Sequence, residues 1–239
     1  MTELLYQMDS YLRSFQAQVV ALDEEGRGIA LDRTAFYPGG GGQPADSGVL
    51  TADGVKFTVK RAKKIGDLVF HYVEGEEALP PIGAIVQGEI DWERRYKLMR
   101  THTAMHVLCG VIFRDYGASV TGGDMDPLEG RMDFEFETMQ RELVDKIQEA
   151  VNREVAAGRE VRTAILPREE AFRIPDLIRT KINLLPEGIQ QVRVVEIVGL
   201  DLQADGGTHV RNTAEVGSIR VVDYKSKGKI NKRIYIAVE

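Results

Sequence analysis

The chain has 239 residues, a net charge of −6, 43% hydrophobic and 28% charged residues. These are the proportions of one large or two small folded domains, and they exclude disordered, collagen-like and mucin-like proteins. No apolar run approaches the roughly 20 residues needed to cross a bilayer, and Glu3, Asp9 and Arg13 interrupt the N-terminal stretch where a signal peptide would be apolar, so the expectation is a cytoplasmic protein with no membrane association. The single cysteine, Cys109, rules out an internal disulfide or a multi-thiolate metal cluster.

Residues 15–21, 28–31, 48–51, 55–60, 68–73 and 84–90 are short runs with β-like patterning, separated by segments rich in Gly, Pro or Asp. They predict a small antiparallel β-barrel over residues 1–95. At Trp92 the period changes, and 92–116 predicts a long helix with Leu98, Met105, Leu108, Val111 and Ile112 on its buried face, stopped by Gly117. A second domain, 96–239, is predicted from there. Its second helix runs from a Thr138 cap to Gly158, burying Leu143, Ile147, Val151 and Val155. Strands follow at 161–166, 192–198 and 218–224, and a last one at 230–238 pairs back through Lys227-Gly228. The fold class is α+β: an N-terminal barrel, then helices packed on a mixed or antiparallel sheet.

Charge is unevenly spread. Residues 220–233 carry Arg220, Lys225, Lys227, Lys229, Lys232 and Arg233 against Asp223 alone, and two further basic groups stand at Lys60, Arg61, Lys63, Lys64 and at Arg94, Arg95, Lys97, Arg100. Such clusters are compatible with a phosphate backbone, or with plain solvated surface.

Three histidines carry the chemical signal. His102 and His106 are four residues apart on one helix face, which lets two imidazoles reach one ion. Thr103 stands where a zincin peptidase needs Glu, so peptidase chemistry is disfavoured. His209 closes Asp205-Gly206-Gly207-Thr208-His209, where two glycines allow a tight loop to aim Asp205 and His209 at a common point. Three imidazoles with a carboxylate or water make a plausible tetrahedral zinc set of the catalytic kind. His71, alternating within 68–73, reads as a strand histidine. Residues 36–48, with glycines 39–42 ahead of Gln43, lack the Lys-Ser/Thr of a nucleotide-binding loop. A structural turn is the default there, with Gln43 suited to reading a base edge or 2′-hydroxyl.

Taken together, residues 36–48, Arg100-Thr101-His102-Thr103-Ala104-Met105-His106 and Gly206-Gly207-Thr208-His209-Val210 resemble the freestanding alanyl-tRNA editing proteins, the AlaX family, related to the editing region of alanyl-tRNA synthetase. The resemblance covers nearly the whole chain. It implies an enzyme with one Zn²⁺ that hydrolyses seryl-tRNA(Ala) in trans, with an N-terminal barrel at 1–95, an editing domain at 96–239 and no obligate protein partner. Carried over by position, His102, His106 and His209 match the zinc ligands, and Asp205 stands where the family has cysteine, either ligating the metal or orienting a water. Thr121 matches a threonine that recognises the serine hydroxyl. Gln43, with Gly41 and Gly42, matches a motif near the tRNA, and Arg94, Arg95, Lys225 and Lys227 are expected to contact its phosphates. Asp133 falls in a recurring segment with no assigned role. A tRNA-binding module that has lost its metal, and a metal-dependent hydrolase of a small ester or amide, are the alternatives.

Overall fold

The computed structural model describes residues 1–180 and 188–239. Its contacts divide the chain into two compact units, Met1–Tyr96 and Lys97–Glu239.

The first unit contains β1 (Glu3–Leu4), β2 (Ser14–Asp23), β3 (Gly28–Leu31), β4 (Arg33–Thr34), β5 (Gly48–Ala52), β6 (Val55–Ile65), β7 (Leu68–Val73) and β8 (Ile85–Ile90). Strands β2-β3-β7-β6-β5-β8 close into a barrel in which every neighbouring pair is antiparallel. Each of the six runs marked by alternation is a barrel strand. The period-2 pattern turns Phe15, Ala17 and Val19 of β2, Val69 and Val73 of β7, and Val86 and Ile90 of β8 into one core. On β6 the pairing with β7 shifts between Val59 and Arg61, so the buried set is Phe57, Val59 and Ala62. Gly88 interrupts the inward row of β8 because a Cβ there would lie 2.4 Å from Cε1 of Phe15. The parallel pair β1–β4, two residues a side, was too short to show in the pattern.

Two polar devices are sealed inside this unit. His71 is fully buried, its Nδ1 donating to the Ile29 carbonyl (2.9 Å) and its Nε2 facing the Thr34 hydroxyl (2.8 Å). A carbonyl only accepts, so the proton sits on Nδ1 and Thr34 donates to Nε2. Burial pushes the His71 pKa down to about 4. Arg95, also fully buried, pairs with both carboxylate oxygens of Asp46 and donates to the carbonyls of Ser10 (3.0 Å) and Ala35 (2.7 Å).

The second unit is reached along α1 (Trp92–Tyr116) and continues with β9 (Val120–Asp126), β10 (Glu129–Glu135), α2 (Arg141–Ala156), β11 (Val161–Pro167), α3 (Arg168–Ala171), β12 (Gln191–Ile197), β13 (Asp201–Ala204), β14 (Ile219–Ser226) and β15 (Asn231–Val238). The strands form two antiparallel sheets, β14-β15-β10-β9 and β11-β12-β13, where a single sheet was expected. The hairpin β9–β10 is an addition to the expected elements. Helix α1 matches its expected bounds and differs in environment: every residue from 101 to 112 is buried, so it is a central helix with no solvent stripe over that stretch. Cys109 lies within it, and burial pushes its thiol far up. Helix α2 starts at Arg141, after a Gln140 that makes no side-chain cap bond, and buries Val144 where Leu143 was expected. No helix among the described residues is long and apolar enough to cross a membrane.

Candidate metal centre

His102 and His106 project from one face of α1, and Asp205 and His209 come from the loop that follows β13. One ligand atom from each of the four lies within 4.8 Å of the others. The His102 and His209 rings stack with centroids 4.2 Å apart, and His106 stands edge-on to both at 5.1 and 4.6 Å. Asp205 Oδ1 is 3.0 Å from His209 Nε2, and Oδ2 is 3.6 Å from His102 Nε2. A tetrahedral zinc site with bonds of 2.0–2.1 Å has ligand–ligand edges of roughly 3.3 Å. The two Asp205 spacings lie on either side of that value, and the four donors, all within 4.8 Å of one another, are close enough to converge on one ion of zinc's size.

The loop is shaped by hydrogen bonds. Asp205 Oδ1 accepts from the Gly207 N–H (2.8 Å), an Asx turn that folds the chain back toward His209. The glycines act differently from the expectation: neither Gly206 nor Gly207 takes a positive φ, so a left-handed backbone is not what aims this loop. Arg193 of β12 donates to the Asp205 carbonyl (3.0 Å). The Thr103 hydroxyl accepts from the Val210 N–H (3.2 Å) and lies 3.2 Å from His209 Nδ1, pinning the ring from α1. The Thr103 position, which disfavours peptidase chemistry, thus orients one of the clustered imidazoles. His106 Nδ1 donates to Asp201 Oδ2 at 3.1 Å.

Burial is the largest influence on each ionisable group here. It pushes His102 down to about 4 and, aided by the neighbouring imidazoles, holds His209 well below its usual range. At His106 burial is outweighed by the Asp201 hydrogen bond and the Asp205 and Asp201 charges, and the pKa rises. At Asp205 burial is overcome by the charge of His102 and the hydrogen bond from His209, which keep the carboxyl well below the usual carboxylate range. A metal requires deprotonated ligands, and three of the four groups are biased toward that state.

Residues 7–94 match the family described as tRNA synthetases class II (A), and residues 192–235 match the threonyl and alanyl tRNA synthetase second additional domain. An alanyl-tRNA editing protein AlaX-M of Saccharolobus solfataricus is 39% identical over 243 residues, covering all of both chains. One from Methanosarcina mazei is also 39% identical, over all of this chain and 97% of its own. The chain belongs to this AlaX-M family. An alanine–tRNA ligase of Pyrobaculum neutrophilum is 42% identical over 92% of this chain, which matches 25% of that ligase.

The other residues singled out from the sequence lie apart from this cluster in their bonding. Thr121 is exposed on β9, beside the irregularity in the β9–β10 pairing, and its hydroxyl donates to Asn231 Oδ1 at 3.0 Å. Gly41 and Gly42 take positive φ in a turn closed by reciprocal backbone bonds between Gly40 and Gln43 (3.0 and 2.9 Å). Gly41 is exposed, whereas the Gln43 side chain is buried, so a base edge does not meet it as it is packed. Arg95 is corrected outright: its guanidinium is committed to Asp46 and two carbonyls and has no surface to offer a phosphate. Arg94 is half-buried against the Ala45 carbonyl (3.3 Å). Arg100 donates to the Val216 and Glu239 carbonyls, Lys232 to those of Gly228 and Lys229, and Arg233 pairs with both oxygens of Asp133, giving that residue a structural role. Lys225 and Lys227 are exposed, Lys225 pairing with the likewise exposed Asp223 at 3.0 Å. Sequence reasoning missed Asp201 and Arg193. Arg193 had a usable signal, a cation inside the apolar strand run 192–198.

Proposed function

We propose that the protein is a trans-editing hydrolase that removes serine from mischarged tRNA(Ala) at a single zinc ion, in the cytoplasm and without ATP. The observation that carries this reading is the buried four-donor cluster of His102, His106, Asp205 and His209 in a chain that aligns end to end with alanyl-tRNA editing proteins. The same cluster argues against a module that has lost its metal, since relaxed selection would not keep three imidazoles and a carboxylate at these spacings.

An aminoacyl ester is already activated, so hydrolysis needs a positioned water and compensation for charge developing at the carbonyl. Zinc, when bound, supplies Lewis-acid polarisation. The chain supplies the rest. His102, His106 and His209 hold the ion, and Asp205 completes the set as an ionised carboxylate. Thr121 donates its proton to Asn231, which leaves its oxygen to accept from a serine hydroxyl. Alanine has no such hydroxyl, and a site built around one discriminates far better than an apolar pocket does. The exposed glycine turn at Gly41 and the exposed Lys225 and Lys227 are assigned to the tRNA.

The test is deacylation of seryl-, glycyl- and alanyl-tRNA(Ala) with and without chelator. Loss of serine alone, abolished by chelation and restored by zinc, is expected. Intact seryl-tRNA(Ala) with a zinc-loaded protein defeats the reading. Thr121→Val is expected to reduce seryl-tRNA turnover by roughly 10-fold, the loss of one hydrogen bond to the serine hydroxyl, with zinc content unchanged.

A further inference from the structure

Asp201 opens β13 with no side-chain surface exposed to solvent. A buried carboxylate is expensive unless its oxygens are satisfied, so the way its partners are distributed tells what it is for. Oδ2 accepts from His106 Nδ1 (3.1 Å) and from Gln203 Nε2 (2.7 Å). Arg179 supplies the balancing charge, its Nε 3.4 Å from Oδ1, yet neither that nitrogen nor Oδ1 has an aligned hydrogen bond among the described residues. The directed bonds go to the histidine and its support, and the cation sits to the side over the Phe113 ring, 3.7 Å from its centroid. Helix α1 is cleared for this approach. Gly110 lies one turn beyond His106, and a Cβ there would come 3.0 Å from Asp201 Cβ and 2.9 Å from Leu200 Cγ.

We infer that Asp201 is a positioning residue for the metal centre: by accepting the Nδ1 proton of His106 it fixes that tautomer and leaves Nε2 as the donor to the ion. The inference rests on the zinc reading above and adds to it a residue that touches neither metal nor substrate. A carboxylate behind a ligating imidazole orients the ring and raises its basicity, and its loss typically weakens metal binding by about 10–100-fold.

The full chain, stripped with a chelator, is titrated with zinc against a chromophoric competitor, and the His106 tautomer is read in the stripped protein from nitrogen NMR shifts. The expected results are an Nδ1–H tautomer in the wild type and about 10–100-fold weaker zinc binding in Asp201→Asn, with a loss in the same direction in Gly110→Ala, which leaves Asp201 in place and crowds it. A proton on Nε2 of wild-type His106, or zinc affinity in Asp201→Asn within about threefold of wild type, overturns the inference. If Asp201→Asn does not fold, the wild-type tautomer decides alone. The editing reading fails separately: a wild type that binds zinc but spares seryl-tRNA(Ala) ends that reading and leaves the role of Asp201 standing.

Discussion

Asp205 does two jobs that a single substitution would separate. Its Oδ1 receives the Gly207 N–H and faces His209, while Oδ2 is turned toward His102. Asp205→Ala is therefore expected to lower zinc affinity and loosen the loop, and Asp205→Cys to restore affinity through a softer ligand. His102→Ala or His209→Ala should abolish both bound zinc and deacylation. Metal content after gel filtration, read beside turnover, checks the series; unchanged affinity in Asp205→Ala with activity lost would assign it to orienting a water. His71 gives a prediction of another kind. Folded His71 stays neutral down to about 4, while the unfolded side chain protonates near its usual 6.5, so between those values the unfolded state binds more protons. Its contribution to stability, at most about 3 kcal/mol, is complete above pH 6.5 and is lost as pH falls toward 4. Urea unfolding at pH 7 and pH 5 should show a drop that His71→Phe reduces. The four clustered donors could be named from residue type and helical spacing because those are local properties. Asp201 could not, since its bond to His106 spans 95 positions and exists only through the packing of the β12–β13 turn on α1.

The elements divide along the same line. The barrel strands announce themselves because alternation and turn chemistry are both local, and the tertiary structure asks nothing of them that contradicts their propensities. The β9–β10 hairpin does the opposite: Gly122, Gly123 and Gly130 are poor strand formers, yet side chains at two of these positions would meet Met105, with a Cβ at Gly123 3.2 Å from its Cε and one at Gly130 3.0 Å from its Sδ. Contact with α1 requires glycine, and the glycines erase the strand signal. Helix α1 meets both sheets, Met105 lying against Gly123 and Gly130 and Gly110 against Asp201, contacts that its own periodicity does not announce. Arg95 shows how a residue read as surface can be the fastening of an element. Asp46 also accepts the Tyr37 N–H at 2.6 Å, so the ion pair ties the glycine-rich turn to the first turn of α1 within the barrel unit. Asp46→Asn or Arg95→Met, which strand one buried charge or its partners, should each cost about 3–5 kcal/mol, measured by urea unfolding of the barrel unit's fluorescence. Restored stability in a double variant with two apolar replacements would show that the penalty is the stranded charge.

At the scale of the whole molecule, a chain with net charge −6 must bind an anionic polymer through local patches, and several of its cations are already spent on internal partners. Charge removal at exposed Lys225 and Lys227 is accordingly expected to flatten the log–log salt dependence of tRNA binding by roughly 0.7–0.9 per contact, measured by filter binding across a salt series, whereas Arg95→Met should leave that slope unchanged. Scarcity of another residue type has a practical side. Cys109 is the one thiol among 239 residues, buried on α1 three residues beyond His106, with its ionisation suppressed. A native molecule can neither crosslink through it nor be alkylated at it until the helix's surroundings come apart. The chain therefore carries its own clock: the rate at which iodoacetamide modifies the unmutated protein counts openings of the interior around the histidines, and added zinc, by holding the closed form, should slow that count in proportion to its occupancy.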